Sequence, residues 1–267
     1  FPDMTENLSS CKSPQQMFGA MYKTYYAEKA GLDPKDIVFV SCIPYTAKKF
    51  EVGRDHQNAA GVPDVDVAIT TRELARLIEK AGINFKALPD EKFDQPFDIG
   101  SGAGAIFGAT GGVMEAALRT AAEVILGKPL EKLDFDDVRG TAPIKRATYK
   151  LGDMEIKVAV ASGTKNANEL LTKVQNGEEK VDFIEIMACP GGCVNGGGQP
   201  LQPASVRNTV DLRALRAAVL YKADANMDLR KSHENSAVKK IYDEYLEHPG
   251  SHRAHEILHT SYVKRGL

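Results

Sequence analysis

Tryptophan is absent from the 267 residues, and only four cysteines occur. The first absence removes one common ring for stacking a ligand but excludes no function. The second excludes more. Cys11, Cys42, Cys189 and Cys193 are too few and too unevenly spread to staple a domain of this size, which argues against a secreted disulfide scaffold, and a reduced compartment is expected. No apolar run approaches the ~20 residues that span a bilayer, and the opening FPDMTENLSS has neither the basic nor the apolar region of a signal peptide. A cytoplasmic location with no membrane partner is therefore expected. Charge of one sign is also lacking: 34 basic and 36 acidic residues are interspersed, for a net charge of −2, which leaves no nucleic-acid footprint. The chain opens on Phe1, as a processed product or a fragment would.

What is present suffices for a core, because 43% of the residues are hydrophobic. SPQQMFGAMYKTYYAEKAG (13–31) reads as a helix with Ser13 as N-cap, Pro14 in the first turn and Gly31 at the end. DIVFVSCIP (36–44) and VDVAIT (65–70) read as strands buried on both faces, and 70–82 as an amphipathic helix stopped by Gly82. Residues 146–163 read as a hairpin turning at Gly152–Asp153. Helices are predicted in the second half of 100–127 and at 166–177, 210–222, 235–247 and 251–259, and a strand at 181–188. This alternation predicts an α/β fold, with lobes at 1–99 and 100–209 and a helical carboxy-terminal wrap at 210–267.

The most informative stretch is MACPGGCVNGGGQP (187–200), which sets two thiols at a CxxxC spacing where a buried strand ends. Glycines let the backbone approach a ligand closely and offer N–H donors, which suits an anionic iron–sulfur cluster. Structural zinc and redox disulfides favour CxxC, and a glycine-rich turn whose thiols merely pack is the bland alternative.

That stretch resembles a signature of the iron-only ([FeFe]) hydrogenases. LSSCKSPQQMFG, PYTAKKFE, DVDVAITTRELA, GAIFGATGGVMEAALR, RKSHEN and HEILHTSYVKR resemble the same family in the same order. The resemblance implies a catalytic domain for 2 H⁺ + 2 e⁻ ⇌ H₂, with two lobes of buried parallel or mixed sheets flanked by helices. It implies a [4Fe–4S] cubane, ligated by Cys189, joined through Cys193 to a diiron subcluster carrying CO, cyanide and a dithiolate. By the same resemblance Lys48 would bond one cyanide, Ser13 and the Pro44 backbone the other. Met187 and Phe107 would line the subsite, Gln15 would be a pocket residue, and Ser9 would belong to a proton relay. Each also has a bland reading, as core, cap or solvated charge.

Two departures stand out. Tyr45 occupies the position of a third cubane thiolate, with Ile43 where the family has methionine, and the family's first cysteine pair lies in a segment preceding the stretch matched here. Phenolate is a hard donor and a poor substitute for thiolate. Cys42, three residues before Tyr45 on a strand, points to the opposite face, and Cys11 on the Ser9–Ser13 loop reads as a buried inert thiol, so neither replaces it. The missing thiolates are expected from an amino-terminal segment or a separate subunit, in which case a split, periplasmic enzyme is an alternative setting. Electrons would come from a ferredoxin-like donor or an accessory iron–sulfur domain. The competing function is a silent, sensory or iron–sulfur assembly relative. A third possibility rests on His252, His255 and His259, spaced along one helix as a zinc or nickel site requires. Ser232 and Asn235 read as helix caps.

Overall fold

The computed structural model describes residues 1–94, 96–97 and 100–264. The boundary expected at residue 99 and Arg265 of the HEILHTSYVKR stretch lie outside them. The chain divides into two compact units, Phe1–Asp98 with Ala237–Leu267, and Ile99–Ser236.

In the first unit α1 (Pro14–Met21) runs through a π-helical turn over Tyr22–Tyr26 into α2 (Ala27–Ala30), which ends on Gly31 in the left-handed region that a side chain would resist. β1 (Val40–Cys42) leads by a turn to α3 (Lys48–Val52), then β2 (Val67–Ile69) and α4 (Thr71–Lys80). β1 and β2 pair in parallel, from Val40↔Val67 to Cys42↔Ile69. They are shorter than the apolar runs that announced them, and they are not buried on both faces: Val40 is 51% and Val67 45% exposed, while Ser41 and Ala68 point inward. The physical reason is the period of two. Only one face of this two-stranded sheet is covered among the described residues, so alternate side chains meet solvent.

In the second unit α5 (Gly102–Ala105) and α6 (Gly112–Leu126) precede a hairpin of β3 (Ile144–Leu151) and β4 (Met154–Ser162), whose register closes at Leu151↔Met154 around Gly152–Asp153. α7 (Thr164–Gln175) then crosses over to β5 (Phe183–Met187), which pairs with β4 in parallel from Val158↔Phe183 to Ser162↔Met187. β4 alternates in the core. Val158 and Val160 pack with Met114 and Leu118 of α6, whereas Ala159 and Ala161 pack with Ala167 and Leu170 of α7. A mixed sheet between two helices is the α/β architecture the sequence predicts.

The remaining helices are α8 (Ala204–Arg207), α9 (Leu212–Ala225), α10 (Ser236–Ile241), which continues as a π-helical turn over Tyr242–Leu246, and α11 (His252–Leu258). The segment expected to wrap as one piece from 210 is shared between the units. α9 belongs to the second, while Leu246, Ala254, Ile257 and Leu258 join Ala20, Met21 and Tyr25 in the core of the first.

Candidate metal-cluster site

β5 delivers the cysteines. Its last residue, Met187, accepts the Gly163 N–H at 2.7 Å, so the chain leaves the sheet level with the end of β4. Gly192 N–H donates to the Cys189 carbonyl at 2.9 Å, and Cys193 opens a 3-10 turn over Cys193–Asn195. Both cysteines are half-buried and in no disulfide, and burial pushes the Cys189 thiol up, so its thiolate forms on metal binding more readily than by simple ionisation.

Contacts from distant parts of the chain shape this turn. The Ser162 hydroxyl accepts the Gly191 N–H at 2.6 Å and donates to the Cys189 carbonyl at 3.4 Å. Thr110 N–H donates to the Gly191 carbonyl at 3.1 Å. Gly192 has φ +94°, and a Cβ on it would lie 2.7 Å from Thr110 N and 2.8 Å from Gly108 O, both backbone atoms. Gly192→Ala should therefore cost about 1–3 kcal/mol from the backbone conformation alone, with the overlap added. Urea denaturation checks it; an unchanged midpoint would count against this packing. The glycine N–H groups were expected to face a ligand. Those of Gly191, Gly192 and Gly196 instead hold the turn itself, the last donating to the Cys193 carbonyl at 2.9 Å.

Thr110 is anchored in turn. Glu185, a lone charge in the apolar β5, is buried and accepts Gly111 N–H at 2.6 Å and Met114 N–H at 2.8 Å, which satisfies the start of α6. Burial raises its carboxyl, against the pull of those N–H groups. Lys145 donates to the carbonyls of Thr110 (2.9 Å) and Gly140 (3.0 Å), and burial lowers its pKa to about 8 from 10.5. Between those two values the unfolded chain holds a proton that the folded chain has released. Stability should therefore rise as pH climbs from 8 to 10.5, by up to about 3 kcal/mol, and the full cost of burying the ammonium should apply below 8. Urea midpoints across that window, flattened in Lys145→Met, are the measurement.

The second unit thus brings together Cys189, Cys193, half-buried Met187 and the 3-10 turn Ile106–Gly108 that carries half-buried Phe107. The first unit gathers another group. Lys48 Nζ donates to Glu51 Oε2 at 2.6 Å, Gln15 Nε2 donates to Glu51 Oε1 at 3.2 Å, and the Ser13 hydroxyl donates to the same oxygen. Ser13 occupies the N-cap position of α1, but its side chain makes no capping bond, since the charged carboxylate is the stronger partner. Gln15 is 7% exposed, and its Oε1 has no partner among the described residues. Pro44 and Tyr45 are half-buried in the turn between β1 and α3, where the Tyr45 carbonyl accepts the Lys48 N–H at 3.1 Å. Ser9 is exposed and accepts the Cys11 N–H at 3.3 Å, outside the Glu51 group.

Sequence reasoning missed Glu51, Ser162 and Glu185 as organising residues. Glu51 could have been found from its position three residues after Lys48 on one helix face, and Glu185 from being charged within an apolar strand. Ser162 had no local signal.

Residues 1–197 match the family described as iron only hydrogenase large subunit, C-terminal domain, and residues 210–265 match iron hydrogenase small subunit. The NADP-reducing hydrogenase subunit HndD of Solidesulfovibrio fructosivorans is 51% identical over 99% of this chain and 44% of its own length. Iron hydrogenase 1 of Clostridium pasteurianum is 47% identical over 99% of this chain and 46% of its own. This chain therefore spans less than half the length of either relative. The structure of apo [FeFe]-hydrogenase HydA1 from Chlamydomonas reinhardtii, variant C377H, is similar over the whole of this chain and 73% of its own, with a TM-score of 0.83 and 42% identity. No helix among the described residues is long and apolar enough to cross a membrane. With a hydrogenase signature on a strand-end turn, a co-linear match over most of its length and an α/β structure of the same kind, the chain belongs to the iron-only hydrogenase large-subunit family.

Proposed function

We propose that this chain is the cluster-holding part of an [FeFe] hydrogenase, catalysing 2 H⁺ + 2 e⁻ ⇌ H₂. The observation that carries the reading is the CPGGC turn at the end of β5, with two half-buried cysteines outside any disulfide on a turn whose backbone is held by Ser162 and Thr110. As donors for an H-cluster the residues fit in half. Cys189 and Cys193 would hold the group through two thiolates, and Tyr45 stands where a third cysteine belongs. The remaining thiolates come from another segment or subunit, and electrons from a ferredoxin-like donor or an accessory iron–sulfur domain.

When bound, the iron group supplies the redox chemistry of hydrogen; the protein supplies ligands, hydrogen bonds and a proton path. Cys189 and Cys193 act as thiolates, so a reducing, cytoplasmic setting belongs to this reading. Lys48 and Ser13 would donate to the anionic cyanides, and the Pro44 backbone would serve the same group. The Glu51 carboxylate holds the Lys48 ammonium and the Gln15 amide ready for that task. Gln15, whose Oε1 has no partner among the described residues, would offer an acceptor to the group. Met187 and Phe107 exclude water, and Ser9 relays protons at its exposed hydroxyl.

Tyr45 is the observation that favours the second reading, a silent assembly-type relative. Relatives with hydrogenase names match at higher identity than the cytosolic Fe–S cluster assembly factors, so the enzyme reading leads. The test is anaerobic maturation of the chain, alone and with the segment that precedes this stretch in its relatives. Infrared bands of CO and cyanide, a cubane paramagnetic resonance signal and H₂ by gas chromatography are the expected results. Iron bound without those bands, and no H₂ in either form, would overturn the proposal.

A further inference from the structure

The hydrogenase reading leaves a histidine group of the first unit unused. The rings of His255 and His259, on and just after α11, lie 4.0 Å apart between centroids and are tilted by 33°. Both line a cavity of about 390 Å³, and His56 lines it too. His252, the other histidine of the helix, is not part of this cavity; it is 88% exposed and sits 3.4 Å from Glu256. The grouping suggested by helical spacing is thus replaced by one that takes its third member from a loop about 200 residues away in sequence.

The cavity suits neutral imidazoles. Ser10 Oγ lies 2.8 Å from His259 Nδ1, which orients the ring and leaves Nε2 as its other nitrogen, the arrangement by which an outer partner prepares a ligating histidine. Burial, and then the neighbouring His255, push the His259 pKa below its usual value. The ammonium at the cavity, that of Lys12, is committed to buried Asp64 at 2.7 Å and does not repel an incoming cation. His56 has φ +60°, a left-handed conformation unusual for a residue with a side chain and found more often where function holds it. Glu123, His233 and Glu234 are the group among the described residues whose donor atoms already lie within 4.8 Å of one another, but that group already contains a cation, since Lys231 Nζ sits 3.0 Å from Glu123 and 2.5 Å from Glu234.

We propose that His56, His255 and His259 form a binding site for one divalent cation of the zinc, nickel or cobalt type, separate from the iron group. Imidazole is the preferred side chain for these metals, and three such ligands with water completing the shell make an open site. The three imidazoles do not have their nitrogens within 4.8 Å of one another as the side chains stand, so ligation at ~2.0–2.1 Å requires the exposed His56 and His255 side chains to rotate into the cavity they line. Binding ties the loop around His56 to the end of α11.

Co²⁺ is the probe, titrated into the full chain and followed optically. Nitrogen ligation gives weak visible bands, whereas cobalt taken up by thiols is read separately through intense near-ultraviolet sulfur bands. The expected result is one nitrogen-ligated equivalent whose Kd rises at least ~10-fold in His56→Ala, His255→Ala and His259→Ala and stays unchanged in His252→Ala. Circular dichroism verifies each fold. If His259→Ala loses its Ser10 contact and unfolds, the exposed His255 and His56 variants still decide. No nitrogen-ligated component, an unchanged Kd in any folded variant of the three, or an equal loss in His252→Ala would overturn the site.

Discussion

Arg119→Ala should destabilise the unit spanning Ile99–Ser236 by about 3–5 kcal/mol, the range for removing one partner of a buried ion pair. Arg119 on α6 is wholly buried and uses every donor. Nε reaches the Leu133 carbonyl (2.9 Å), Nη1 reaches Asp224 Oδ1 (2.8 Å) and the Arg230 carbonyl (2.9 Å), and Nη2 reaches Glu115 Oε1 (2.7 Å) and Asp224 Oδ2 (2.8 Å). Alanine would leave two carboxylates with no exposure facing each other across a void, each with a single remaining guanidinium: Arg139 for Glu115, and Arg230 for Asp224. The Asp224 carboxyl feels burial, which raises it, but Arg119 and Arg230 outweigh that and hold it below the ordinary carboxylate value. Its contribution is therefore present above pH ~3.8 and is lost as pH falls through the folded pKa. Guanidinium unfolding of wild type and variant at pH 7 measures the effect. A loss under about 1 kcal/mol would show that Arg139 and Arg230 suffice alone.

On the proposed assignment, Cys193→Ser should have the largest chemical effect. A serine hydroxyl is a hard, high-pKa oxygen donor and cannot replace thiolate on iron. Because backbone bonds to Ser162 and Thr110 shape the turn, the variant should fold normally and fail in ligation. After anaerobic loading, bound iron in Cys189→Ser and Cys193→Ser should fall by more than the ~10–100-fold typical of losing an outer-shell partner. Cys11→Ser and Cys42→Ser should retain it, since those thiols lie in the other unit, on the loop before α1 and at the end of β1. Equal iron loss in all four variants would point to adventitious binding by any exposed sulfur.

The parts of the molecule that the sequence announces are those made by neighbours in the chain. The β3–β4 hairpin follows from Gly152–Asp153 between alternating strands, α4 from its apolar spacing, and the CPGGC turn from five adjacent letters. Burial of β1 and β2 was misread because an apolar run looks the same whether one face or both are covered, and only the tertiary fold decides. The Glu51 group was partly legible. Ser13, Gln15 and Lys48 were picked out through family resemblance, yet the carboxylate they share sits more than thirty residues from two of them, so no local pattern joins them. Likewise the histidines of α11 were visible as a spacing, but helical geometry grouped His252 where the structure supplies His56.

The clamp on the cysteine turn has a kinetic consequence. Gly191 takes one hydrogen bond from Thr110, about eighty residues upstream, and gives another to Ser162, about thirty upstream. Such long-separation contacts close late in folding, after the local hairpin and helices have formed. During synthesis the two sulfurs therefore emerge from the ribosome on a slack loop and acquire their spacing only when β5 docks beside β4. On the proposed assignment, delivery of the metal group is ordered after folding of this unit, and a chain stalled before that docking step would present its thiols to oxidants instead.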